Sequence, residues 1–300
     1  MVYTGRFAPS PSGPLHFGSL VAALGSYLRA KSQSGNWLVR IEDIDPPREQ
    51  PGAADVILRT LEVHGLAWDG EVSYQSRFGY YYDEILDYLA QRNLSYYCNC
   101  TRAQIKALGG RYQGICRDRQ HAKEDCALRF RNNHPVYGFT DQHLGLINVD
   151  PATAAEDFII RRKDGLYAYQ LAVVADDIRQ GITEVVRGAD LLDTTTSQIA
   201  LYHALGEAAP DWLHLPVAAV RPGFKLSKQN HAPAIDDRFA VDNLRQALMF
   251  LGVSEQQAGG FDRVETLLQW ARGQWSLLNL TSEQEVLWPQ PGTGFDRLSP

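Results

Sequence analysis

The chain has 300 residues, of which 44% are hydrophobic and 21% charged, the balance of a globular protein with one sizeable core and one or two smaller units. Its formal net charge of −6 and pI near 5.8 exclude a surface that is basic throughout, but not a local basic groove. No stretch approaches the roughly 20 apolar residues that span a bilayer, and the N-terminal residues lack a signal peptide's apolar run, so a cytoplasmic protein without a membrane partner is expected. In such a compartment the four cysteines point to metal rather than to disulfides.

Residues 2–8 alternate as a short strand. The sequence Pro9-Ser10-Pro11-Ser12-Gly13-Pro14 that follows cannot be regular structure. Leu20, Val21, Leu24 and Leu28 then recur at helical spacing, and residues 37–41 form a strand that ends at Glu42-Asp43-Ile44-Asp45. This is a βαβ unit, the start of a doubly wound parallel (Rossmann-type) nucleotide-binding sheet in an α/β fold, whose ligands sit at the carboxyl ends of the strands. Helical patterns follow at 53–64 and 80–91. From 96 to 157 the chain changes character, with cysteines, glycines and scattered charges, as expected of an inserted small α+β subdomain. Sheet-like sequence resumes at 158–161, 168–175 and 183–186, with a helix at 195–205. Residues 242–251 and 264–272 are helical. The expected organisation is a split nucleotide-binding domain (1–95 and 158–231), the insert (96–157) and a helical C-terminal region (232–300).

Three groups of residues carry chemistry. The loop before the first helix offers backbone N–H groups and a positive dipole end to a phosphate. His16 can donate to a phosphate oxygen there, and Gly18 permits close approach. Equally, the stretch is a proline-rich turn capped by Ser12. Downstream, Lys225-Leu226-Ser227-Lys228-Gln229 places two lysines around a serine, able to meet the charge that develops on an attacked triphosphate, or simply a solvated basic turn.

Arg6 and Arg187, at strand ends, suit carboxylates because a guanidinium fork binds both oxygens. Glu42 can hold an ammonium and Tyr169 adds a hydroxyl. The competing assignment makes Arg6–Glu42 and Arg187–Asp190 structural ion pairs. Finally, Cys98-Asn99-Cys100 and Cys116 supply three thiolates of a tetrahedral zinc site, with Cys126, His121 or Tyr112 as the fourth ligand, Cys126 being favoured by its chemistry. Free buried thiols are the alternative.

In this order, His16-Phe17-Gly18-Ser19 and residues 225–229 resemble the two signatures of class I aminoacyl-tRNA synthetases. Residues 6–13, 40–45, 75–77, 172–177 and 182–190 look like blocks of the glutamyl branch, so the resemblance runs from about Gly5 to His231. It implies activation of L-glutamate by ATP with Mg²⁺. Arg6, Phe7, Ala8, Pro9, Ser10, Glu42, Tyr169 and Arg187 are then the glutamate-contacting positions. His16, Gly18, Ser19, Lys225, Ser227 and Lys228 are the ATP positions, with His16 and Lys228 catalytic. The family's zinc set of Cys-x-Cys, Tyr and Cys four positions later matches Cys98, Cys100, Tyr112 and Cys116.

Residues 230–300, 71 in all, follow the second signature, fewer than the anticodon-binding region of ordinary bacterial glutamyl synthetases. The short form resembles the glutamyl-queuosine tRNA(Asp) synthetase family, which attaches glutamate to queuosine at the wobble position. Gln229 and Gln170, where ordinary glutamyl enzymes usually carry Arg and Asn, put ordinary tRNA(Glu) charging in doubt. The resemblance implies a monomer that takes tRNA(Asp) carrying queuosine and activates glutamate without RNA. The alternatives are a compact synthetase charging the 3′ end of tRNA(Glu) and a non-catalytic tRNA-binding paralogue.

Overall fold

The computed structural model describes residues 2–226, 232–275 and 280–288. β1 (Thr4–Phe7) and β2 (Asn36–Ile41) run parallel, with α1 (Phe17–Ser32) between them in sequence. Leu20, Val21, Leu24 and Leu28 are buried on the inner face of α1. After α2 (Ala53–Val63), β3 (Ser73–Tyr74) adds to β2 in parallel, and α3 (Gly79–Gln91) follows. The βαβ expectation is met: Thr4 lies beside Asn36 and Phe7 beside Val39.

Next come β4 (Ser95–Cys98), α4 (Arg102–Ala107), β5 (Ala127–Phe130), β6 (Gly138–Asp141), β7 (Gly145–Asn148), α5 (Pro151–Ala154) and β8 (Ile159–Arg161). Strand pairing runs across the expected limits of the insert. β5 pairs antiparallel with β4 on one side and with β8, from beyond residue 157, on the other. The β6–β7 hairpin instead extends a sheet of the nucleotide-binding core, because β6 pairs in parallel with a later strand, described next.

α6 (Tyr169–Gln180), β9 (Glu184–Gly188), α7 (Thr195–Leu205) and β10 (Asp211–Leu215) complete that sheet, in the order β7-β6-β10-β9. α6 corrects the sequence analysis, in which residues 168–175 read as sheet. Leu171 to Asp177 are all buried, so no period survives to separate a helix from a strand. Gly181, in the left-handed region at φ 63°, ends the helix; only such a residue closes it without strain. The edge of β1 meets the start of β9 where Thr183 N donates to Thr4 O (2.9 Å), which brings the two sheets onto one cleft.

β11 (Val217–Arg221) and β12 (Phe224–Lys225) form an antiparallel pair. α8 (Ala240–Phe250), α9 (Glu255–Ala258), α10 (Val264–Gln274) and β13 (Glu285–Leu287) follow, β13 pairing with β11 in parallel. The strands β10 to β13 were not foreseen. The C-terminal helices share a core with α1: Leu244, Ala247 and Leu248 cluster with Leu20 and Leu24, and Phe17 stacks on Trp288 (5.5 Å). Among the described residues no helix is long and apolar enough to cross a membrane.

Candidate active site

A cleft of about 330 Å³ opens at the carboxyl ends of β1, β9 and β10. One wall is the first loop and helix start: Phe7, Ala8, Pro9, Ser10, Ser12, His16, Gly18 and Ser19. The other is Gly188, Asp190, Leu191, Lys225 and Leu226. His16, not Ser12, caps α1: its Nδ1 accepts from Ser19 N at 3.3 Å. A neutral ring so engaged carries its proton on Nε2, the nitrogen that can donate to a phosphate oxygen.

The two sequence signatures meet at Gly18. A Cβ there would lie 3.2 Å from His16 Cε1 and 3.3 Å from the Leu226 carbonyl, so only glycine fits without displacing backbone. Past the second signature the chain returns to the same helix start, where Ile235 N donates to Leu15 O (2.8 Å). Lys225 Nζ pairs with Asp190 Oδ2 on the second wall at 2.5 Å. Ser227, Lys228 and Gln229 lie outside the described residues.

Beneath the cleft, neither structural pair considered above forms; Asp190 pairs with Lys225 instead. Arg6 is buried and grips Asp177 of α6 with both arms, at 3.0 and 3.2 Å. Arg40, fully buried, adds a third contact to Asp177 at 2.8 Å. Burial alone would push the Asp177 carboxyl up, but the two arginines outweigh it and hold it below the usual range. Glu42, just past β2, is buried too, and its Oε1 has no hydrogen-bond partner; Arg40 stands 3.7 Å away. Burial, countered only in part by Arg40 and Arg6, pushes its carboxyl up to about 7.

Arg187 on β9 is held differently. Its guanidinium donates to His214 Nε2 (3.1 Å), Gln198 Oε1 (2.8 Å), Leu191 O (3.2 Å) and Thr195 Oγ1 (3.0 Å). Every one of these acceptors is neutral, and among the described residues no carboxylate forms an ion pair with it. Burial weakens its hold on the proton. Tyr169, the first residue of α6, interacts with the same charges. Burial and then the Glu42 charge push its hydroxyl up, while Arg187 and Arg6 pull the other way, so all four groups share one electrostatic neighbourhood. Gln170 is tied to the same set through Gln198, which donates to it at 2.7 Å.

Asp177, Arg40, Thr195, Gln198, His214 and Asp141 did not stand out in the sequence as site residues. One signal was present: two successive acids, Asp176 and Asp177, ending an apolar run, which in a buried helix require cationic partners.

In the insert, Cys98, Cys100 and Cys116 bring their sulfurs within 4.8 Å of one another, Cys100 and Cys116 at 3.6 Å. The Tyr112 hydroxyl accepts from Cys116 N at 2.9 Å. Burial raises the Cys98 thiol, but hydrogen bonds from Tyr112 and Arg129 outweigh it and leave it below the ordinary range. Cys126 falls outside the three-sulfur group. Three convergent thiols with a buried phenol beside them fit a soft divalent metal in a closed structural site.

A family model described as class I tRNA synthetases (E and Q), catalytic domain, matches residues 2–257. The chain is 55% identical over 275 residues to a glutamyl-Q tRNA(Asp) synthetase of Escherichia coli O6:H1 (strain CFT073), covering 92% of this chain and 89% of that one. It is 52% identical over 295 residues to the Serratia proteamaculans protein of the same name, covering 98% and 97%. Among solved structures it is similar to a glutamate-tRNA synthetase from Elizabethkingia anophelis (TM-score 0.79, 22% identity), covering 95% of this chain and 68% of that one. A glutamate tRNA ligase from Elizabethkingia meningosepticum, in complex with its amino acid, gives 0.78 and 24% over 94% and 66%. At such identities these structures establish the Rossmann-like α/β fold alone.

Proposed function

The chain belongs to the class I tRNA synthetase (E and Q) catalytic-domain family, alongside the glutamyl-Q tRNA(Asp) synthetases, and we propose that it glutamylates queuosine in tRNA(Asp). In the first step a glutamate α-carboxylate oxygen attacks the ATP α-phosphorus, the bond to pyrophosphate breaks, and glutamyl-adenylate forms without RNA. In the second, a hydroxyl on the queuosine cyclopentene ring attacks the activated carbonyl and AMP leaves.

The observation that carries this reading is the pairing of Arg187, held only by neutral acceptors, with Glu42, whose Oε1 lacks a hydrogen bond and whose ion-pair partner Arg40 stands 3.7 Å away. A buried guanidinium with only neutral acceptors calls for an anion, and a buried carboxylate with an unsatisfied oxygen calls for a cation or donor. An amino acid bearing a second carboxylate supplies both. Arg187 with Tyr169 takes a carboxylate, Glu42 the ammonium, and residues 7–10 the remaining wall. Arg6, committed to Asp177, adds positive potential.

Catalysis here is positioning and electrostatics. His16 Nε2–H donates to a phosphate oxygen, the start of α1 supports the phosphates, and Lys225 exchanges Asp190 for phosphate when ATP enters with Mg²⁺. Lys228 meets the charge that grows on the departing pyrophosphate. Cys98, Cys100, Cys116 and Tyr112 would hold a structural zinc, which pins the insert and takes no part in the chemistry. The protein acts as a monomer.

Transfer of radiolabelled glutamate to tRNA(Asp) with queuosine, to tRNA(Asp) without it, and to tRNA(Glu) tests the proposal. Label on the first substrate alone is expected. Charging of tRNA(Glu), or equal charging of both tRNA(Asp) forms, restores the compact-synthetase reading.

A further inference from the structure

Three adjacent strands place three polar side chains in a row. The register sets Trp212 of β10 beside Asp141 of β6, and His214 of β10 beside Arg187 of β9. Asp141 and His214 are essentially inaccessible, at 1% and 0% exposure. Asp141 Oδ2 accepts from the His214 backbone N (3.0 Å) and meets its ring Nδ1 at 2.7 Å. Its Oδ1 accepts the N–H groups of His143 and Leu144, both at 2.9 Å. With both oxygens engaged, the carboxylate cannot turn. Nδ1 must donate to it, which leaves Nε2 as an acceptor, 3.1 Å from Arg187 Nε.

We propose that Asp141 and His214 are positioning residues for Arg187, fixing an imidazole that can only accept and thereby aiming the guanidinium at the substrate carboxylate. The inference rests on the glutamate reading above. A carboxylate placed directly on Arg187 would hold it equally well but would neutralise it. One imidazole between Asp141 and Arg187 keeps the anion at a remove and leaves the charge to the amino acid. A ring protonated on Nε2 would set N–H against N–H, and burial together with the neighbouring Arg187 keeps the imidazole below its ordinary range, against the pull of Asp141.

The test is glutamate-dependent ATP–pyrophosphate exchange with the full chain and three variants. His214→Leu removes the acceptor, and Asp141→Asn offers an amide that favours the reversed tautomer. His214→Gln keeps an acceptor and a donor at once. A roughly tenfold rise in glutamate KM is expected for His214→Leu and Asp141→Asn, the size of one lost buried hydrogen bond, with ATP KM within about twofold. His214→Gln should stay within about threefold of the parent, which a role in packing alone would not produce.

A parent-like glutamate KM in His214→Leu, or equal losses in the Leu and Gln variants, overturns the proposal. If the Leu variant does not fold, the other two decide, and parent-like behaviour in both is the adverse result. Nitrogen-15 NMR of the parent's His214 separates this inference from the reading beneath it. A protonated Nδ1 and bare Nε2 are expected; the opposite tautomer sinks the relay whatever the amino acid. A parent that exchanges nothing with glutamate sinks the glutamate reading instead.

Discussion

Two arginines stand in the same electrostatic neighbourhood and are both almost wholly buried, yet they are held in opposite ways. Arg6 has its own anion, a two-armed bond to Asp177 that Arg40 reinforces. Arg187 has an imidazole, an amide, a carbonyl and a hydroxyl, and no carboxylate. A buried ion pair is self-sufficient, and breaking it leaves a charge stranded in the interior. A buried cation on neutral acceptors is costly until something negative arrives. The first arrangement holds β1 against α6; the second, in the proposed function, receives the carboxylate of the substrate.

The largest effects should come from exchanging those roles. Arg6→Met should cost about 3 kcal/mol of folding stability, because Asp177 loses the partner that grips it with two bonds and keeps only Arg40. Arg187→Met should cost less, about 1–2 kcal/mol, since the buried acceptors it leaves unpaired are all neutral. Its kcat/KM for glutamate should fall by an equivalent of about 2–5 kcal/mol. Thermal melts and exchange kinetics on both variants check the pair. A stable Arg6→Met protein, or an Arg187→Met protein that unfolds, would erase the distinction.

A somewhat smaller effect is expected at Glu42, whose ordinary carboxyl value of 4.5 rises to about 7 in the fold. Folding therefore takes up a proton between those values, and stability falls as pH rises from about 4.5 to 7. Glu42→Gln removes that penalty. It should stabilise the protein at alkaline pH by at most about 3 kcal/mol, a gain that fades towards pH 4, while glutamate activation is lost. Melts across the pH range check the sign; a variant less stable than the parent at alkaline pH would place Glu42 with Arg6 as a structural residue.

The cysteine knuckle sharpens the comparison from a third direction, as a three-thiol cluster whose proposed partner is a metal rather than a substrate. Cys100→Ser should release zinc and lower only the stability of the insert, whereas Cys126→Ser should retain one metal per chain by elemental analysis. Retention in both variants would refute the ligand set.

What was legible in the sequence was local. The proline-rich loop, the helix behind it and the Cys-x-Cys pair each carry their meaning within a few residues. The strand at 183–186 and the helix at 195–205 were likewise bounded by their own turn signals. What escaped was non-local. Arg6 and Asp177 are 171 residues apart, and Arg187 draws its partners from β9's exit, α7 and β10. A continuous apolar run such as Leu171 to Ala175 has no period to read, so a buried helix passed for a strand. Register alone brought His214 beside Arg187, and register is set by the whole sheet.

RNA-free ATP–pyrophosphate exchange with glutamate, glutamine and aspartate as alternative substrates tests the central claim most directly. If Arg187 is a buried cation that requires a carboxylate at the right reach, glutamate alone should support exchange. Glutamine, whose amide is neutral, and aspartate, one methylene shorter, should not. Equal exchange with glutamine, or none with glutamate from a folded protein, would contradict the account.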